Sequence, residues 1–149
     1  MGGRNIELME FTDFDFNDLK AGGITTVWLA QNIPVRPYRN GVLQVRFRSN
    51  NLAAGTSVTF ALVTVAPTAE DPARIYRATF AGVVTTYPAT PLSIPGTITA
   101  GAGLLYTKEL TTDSLPLPDF VSLRMVVTQG AAADLALDFT AAVAVALKE

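Results

Sequence analysis

The 149-residue chain contains no cysteine and no histidine. Without cysteine there is no disulfide, no thiol nucleophile and no thiolate metal site. Without histidine there is no Ser-His-Asp triad, no imidazole acid–base pair, and no usual zinc, copper or haem ligand set. Lysine occurs only at Lys20, Lys108 and Lys148, none of them in a nucleophile motif. Trp28 is the single tryptophan, a poor supply of stacking surface for sugars. Charged residues make up 16% of the chain and the net charge is −2, so the basic balance of a nucleic-acid binder is missing. No run of 18 apolar residues exists; the most apolar stretch, 131–147, is interrupted by Asp134 and Asp138, which argues against a membrane helix. The N-terminus lacks a basic segment followed by an apolar one, so no signal peptide is expected. Ile6 stands where myristoylation prefers Ser or Thr. The expected location is the cytoplasm or a larger particle, with no membrane, nucleic acid, metal or cofactor as partner.

The length suits one domain with its own core, and 49% hydrophobic content excludes a wholly disordered chain. Hydrophobic spacing is period 2 nearly throughout. Ile24 to Ala30 is rich in β-branched and aromatic residues. Leu43, Val45 and Phe47 alternate with Gln44, Arg46 and Arg48, after a turn expected at Arg39-Asn40-Gly41. Val58 to Val65 is apolar on both faces and reads as a central strand. Further strands are expected at 75–80, 83–87, 104–110 and 120–128, with turns at 67–72 and 115–118. The Pro/Gly-rich stretch 88–103 reads as a loop with a short strand at 97–99. The last segment places Leu135, Leu137, Phe139, Ala141, Val143, Val145 and Leu147 on one face at a strict spacing of two. Alanine content would also allow a helix over 140–148, but alternation is the stronger signal. Its other face carries Ala136, Ala142, Ala144 and Ala146. Such a strand must be interior or covered by another subunit. The expected fold is all-β: a two-sheet antiparallel sandwich of about eight strands, jelly-roll or Greek-key in type.

Residues 1–23 differ from the rest. They hold five acids against two bases and end in Ala21-Gly22-Gly23. Phe11, Phe14 and Phe16 sit among Asp13, Asp15 and Asp18, and a purely solvated tail has no use for three Phe. This segment reads as an extended arm lying on its own domain or on a neighbour, with residues 24–149 as the sandwich.

Candidate chemistry is sparse. Asp13-x-Asp15-x-Asn17 imitates the start of a calcium loop, but Asp18 replaces the expected Gly and Ile24 the closing Glu. Glu70-Asp71 lacks a second carboxylate partner for sugar hydrolysis. Gly101-Ala102-Gly103 is followed by no Lys-Ser/Thr helix and is no phosphate loop. No enzyme is expected.

Charge is organised more clearly than chemistry. Arg36, Arg39, Arg46 and Arg48 fall within thirteen residues that contain no acid. They complement the acidic arm. Opposed patches suit contact between copies, or an arm folded back on its own subunit. The expected interface set is therefore Phe11, Phe14, Phe16, Asp13, Asp15 and Asp18 with the four arginines. In size and composition the chain resembles the small β-sandwich proteins that decorate or cement bacteriophage heads. That resemblance implies an extended N-terminal arm and no catalytic residues. With the amphiphilic arm, the arginine cluster and the high apolar content, the expectation is a non-enzymatic structural subunit that self-associates, as a trimer, and binds a larger shell such as a phage capsid. The alternative is a ligand-binding sandwich, for carbohydrate or another small molecule, with 88–103 as its binding loop.

Overall fold

The computed structural model describes residues 3–17, 19, 22–64, 85–95, 102–111, 117–130 and 137–148. The expected strands at 75–80 and 97–99, the turn at 67–72, Glu70-Asp71 and Asp18 lie outside them.

Eight strands follow in order: β1 (Gly3–Asp15), β2 (Ile24–Pro34), β3 (Asn40–Leu52), β4 (Ser57–Thr64), β5 (Thr85–Pro95), β6 (Ala102–Glu109), β7 (Phe120–Thr128) and β8 (Leu137–Lys148). They form two four-stranded antiparallel sheets, β1-β8-β3-β6 and β2-β7-β4-β5. Strands next to each other in sequence lie in opposite sheets at every step except β4/β5, which pair in one sheet. This is the jelly-roll connectivity that the spacing of short strands implied.

The core lies between the sheets. Period-2 alternation sends Val45, Phe47, Phe139 and Val143 inward from one sheet, and Phe60, Leu62, Leu123 and Met125 inward from the other. All eight are essentially inaccessible to solvent. Strand β8 is interior to its sheet, flanked by β1 and β3 over nearly its whole length, so both its backbone edges are paired; its Ala142, Ala144 and Ala146 face points away from the core and is half-buried. Residues 140–148 are strand, as alternation indicated.

The arm segment is where the structure adds most. Residues Gly3–Asp15 form a 13-residue strand along β8 of the same chain. The alternation of Asp13 and Asp15 with Phe14 and Phe16 is strand-like in the sequence, but upstream of it two register shifts, between Glu7 and Met9 and between Met9 and Thr12, break the period. The expected loop 88–103 is corrected too. Residues 85–95 are β5, paired with β4, and at an irregularity between Phe60 and Leu62 four residues of β5, Pro88 and Pro91 among them, stand opposite Ala61 alone. Proline is tolerated there because β5 is an edge strand and the bulge needs no ladder hydrogen bond.

Asn40-Gly41 is not the turn its composition indicated. The turn is at 35–38, where the Tyr38 amide donates to the Val35 carbonyl at 2.9 Å. Gly41 lies inside β3, paired with Leu147. A Cβ at Gly41 would stand 2.7 Å from the Ala146 carbonyl oxygen. The glycine is there for close backbone approach. Gly41→Ala is expected to destabilise by about 1–3 kcal/mol, as an overpacked methyl does. Thermal unfolding followed by circular dichroism checks this; an unchanged midpoint would contradict the close packing.

Candidate functional site

The outer face of the β1-β8-β3-β6 sheet gathers most of the residues singled out from the sequence. Cross-strand pairing sets them in rows. Asp13 on β1 and Arg48 on β3 both pair with Thr140 of β8, so the three form one row. Glu7 and Gln44 likewise flank Ala144. Arg46 is paired with Ala142 on one side and Leu105 of β6 on the other. The result is an acidic strip on β1, a small-residue strip on β8 and a basic strip on β3.

Phe11 sits in the second register shift of β1, and bulges re-aim side chains. Its ring lies on the outer face beneath the Arg48 guanidinium, 4.7 Å from carbon to ring centroid. Stacking of this kind at an exposed site contributes about 0.5–1 kcal/mol. It also leaves the in-plane N–H donors of the guanidinium open. Thr140 donates its hydroxyl proton to the Asp13 carboxylate, which fixes that acid on the face. Arg46 and Arg48 are exposed. Phe11, Arg46, Arg48, Leu104 and Leu105 rim a shallow open depression of about 260 Å³. Three of the five exposed large hydrophobic residues among those described gather here. Leu105 escaped the sequence reading, although adjacent Leu104 and Leu105 in a strand must place one side chain outside.

Phe14 and Phe16 turn the other way. Phe14 packs on Phe139 at 5.3 Å between ring centroids, Phe16 at 6.1 Å, and Phe47 meets the same ring at 4.9 Å. These rings join β1 and the residue after it to the core. Asp15 is exposed and accepts the Asn17 amide at 3.0 Å. Asn17 in turn donates from Nδ2 to Asp138 at 2.9 Å and accepts the Leu137 amide at 2.6 Å. Two members of the Asp-x-Asp-x-Asn motif thus fasten the end of β1 to the start of β8. Among the described residues no group of three or more acids could hold a metal ion. Asn17→Ala is expected to cost about 1–3 kcal/mol, since it strands a half-buried amide and frees the strand end. Urea unfolding would show it as a lower midpoint; no change would mean that solvent replaces both bonds freely.

Arg36 and Arg39 lie apart from Arg46 and Arg48, in the β2–β3 connection at the end of the sandwich. Arg36 stands 3.8 Å from Asp119, and both are largely exposed. Such a pair contributes little, about 0–1 kcal/mol. Together with Tyr38 and Leu117 they line a cleft of about 400 Å³. The four arginines are therefore two pairs on different surfaces, about which their closeness in sequence says nothing.

The opposite sheet offers a different face. Trp28 on β2 and Ala61 on β4 point outward there, level with Arg124 of β7, yet both are buried. Burial lowers the Arg124 guanidinium from its ordinary value, and burial raises the Tyr106 hydroxyl on β6. Trp28 is buried, and residues 88–95, half of the stretch expected as a binding loop, are held in β5. The described residues contain no helix that is long and apolar enough to cross a membrane.

Connectivity, sheet order and strand count define an eight-stranded jelly roll. The chain is similar over 98% of its length to a structure of infectious bursal disease virus strain Gx, with a TM-score of 0.59 and 15% identity. It is similar over the same share to the VP2 subviral particle of that virus, with a TM-score of 0.58 and 14% identity. Strain Gt gives a TM-score of 0.55 at 14% identity, again over 98%. The chain spans about a third of the length of these structures (31%, 32% and 31% respectively), and at this identity the likeness is one of fold. No protein-family model matches the sequence, and no curated protein matches it.

Proposed function

We propose that the protein is a non-enzymatic structural subunit of a virion, self-associating and joined to a larger protein shell, as the decoration or cement subunit of a phage head. The carrying observation is the jelly roll itself, which is similar over 98% of the chain to a viral particle's VP2 subunit. Fold likeness alone does not assign function. The reading draws further support from the chain's own surface. Its chemistry-bearing residues are spread as charge strips on an open sheet face, whereas a catalytic constellation converges in a pocket. Exposed Phe11 and Leu105 beside Arg46 and Arg48 match the composition of protein contacts, where aromatic residues and Arg are enriched. The work of such a subunit is added interface area and charge pairing that resist shell expansion.

Particles purified from the source on a density gradient test this. The chain is expected in the particle band, at a fixed stoichiometry to the major shell protein by quantitative mass spectrometry. Its absence from the particle band, with all of it in the soluble fraction, would overturn the reading.

A further inference from the structure

We infer that the outer face of the β1-β8-β3-β6 sheet is built to pair with the same face of a second copy, about a two-fold axis running along β8. This deepens the assembly reading above, and rests on it, by naming the partner and the surface.

The argument is one of symmetry and register. Neighbouring strands lie about 4.8 Å apart, so Asp13 and Arg48 flank Thr140 at roughly equal distances on opposite sides. Rotation by half a turn about an axis parallel to β8 and above it exchanges the two sides of the face. The β1 strip of one copy then lies over the β3 strip of the other, and β8 lies over β8. Position along the strands is preserved. Asp13 of each copy therefore meets the partner copy's Arg48, twice per pair. A two-fold contact requires this self-complementarity, in which one patch serves both copies.

The surroundings fit. Down the middle of the contact run Ala142 and Ala144, both half-buried, on the floor of a depression of about 370 Å³ that Met9, Phe11, Gln44 and Arg46 also line. Sheets packed face to face sit about 10 Å apart, within reach of Arg and Asp side chains from either side. Stacking on Phe11 holds the Arg48 guanidinium in place while its in-plane donors remain available, which lowers the ordering cost of a bidentate contact to a carboxylate. Asp13 is exposed and is held by Thr140 through one oxygen. The opposite sheet carries no such pattern, since Trp28 and Ala61 on its outer side are already buried.

Light scattering behind size exclusion, on the full chain at several concentrations, tests the pairing. The wild type is expected to be a dimer that weakens with salt, because exposed charge pairs are screened. Asp13→Arg and Arg48→Asp, each alone, are expected to weaken the dimer at least tenfold by setting like charges face to face. The double variant Asp13→Arg/Arg48→Asp is expected to restore it, because the axis pairs these two positions with each other. Ala144→Lys is expected to abolish the dimer with circular dichroism unchanged, which keeps the test meaningful should a charge-swapped variant fold poorly. A monomer at every concentration, a trimer, or a dimer insensitive to Ala144→Lys would overturn the two-fold pairing. Each of these results leaves the shell reading intact if the chain still bands with particles. Absence from particles with a salt-sensitive dimer overturns the shell reading alone.

Discussion

Removal of residues 1–15 is expected to convert the protein from a soluble species into an aggregating one. The deletion takes away β1, and with it the cover over one side of β8. Strand β8 then becomes an edge. It presents unpaired N–H and C=O groups on a strand with Leu/Val/Phe on one face and Ala on much of the other. Uncovered apolar edges of that kind pair with whatever strand is nearest. The deletion also removes Ile6, Met9 and Phe14 from the margin of the core. Turbidity and size exclusion of the truncated chain, next to the full chain, would show loss of the defined species. A truncated chain that stays soluble with an unchanged melting temperature would mean that β1 contributes nothing to the fold and serves only a partner. An arm that reached solely for a neighbour could be removed without this penalty. The 13-residue pairing along β8 is the reason to expect otherwise.

Replacement of Phe139 by alanine is expected to have the largest effect of any single substitution. Its ring is wholly buried and touches Phe14, Phe16 and Phe47. Loss of a buried Phe costs about 3–5 kcal/mol through lost transfer energy and the cavity left behind. That is a large share of the roughly 5–15 kcal/mol by which domains are stable. Here the cost falls at a junction. Phe14 and Phe16 tie β1 to β8 through this ring, so the β1 margin should loosen first. Denaturant titration gives the loss of stability, and hydrogen exchange of β1 amides gives its location. A drop below about 1 kcal/mol, with β1 protection unchanged, would contradict the role of Phe139 as the shared packing partner.

Much of this was legible from alternation alone. The uninterrupted 2-residue period from Leu137 to Leu147 marks β8 and its inward face. The period in Leu43, Val45 and Phe47 marks β3. Legibility failed where the ladder is irregular. Two register shifts in β1 break its period, and the excursion near Pro88 and Pro91 in β5 makes a strand look like a loop. Local composition misled at Asn40-Gly41, because a glycine required for close approach to Ala146 looks the same as one required for a turn. The site was half legible. Residue types and charge signs could be read, but the division of the arginines between an end cleft and a sheet face could not. That division depends on strand register, as does the row that sets Asp13 level with Arg48. The inward turn of Phe14 and Phe16 against the outward turn of Phe11 is plain alternation, because Phe11 lies an odd number of residues from both.

The most direct test of the assembly account is oxidative footprinting of side chains in dilute and concentrated solution. Phe11 lies on the proposed contact face, whereas Ile24 and Phe120 are exposed on the other sheet and act as internal controls. The account predicts that Phe11 becomes shielded as concentration rises, while Ile24 and Phe120 react as before. Equal reactivity of Phe11 at all concentrations, or shielding confined to Ile24 and Phe120, would contradict it.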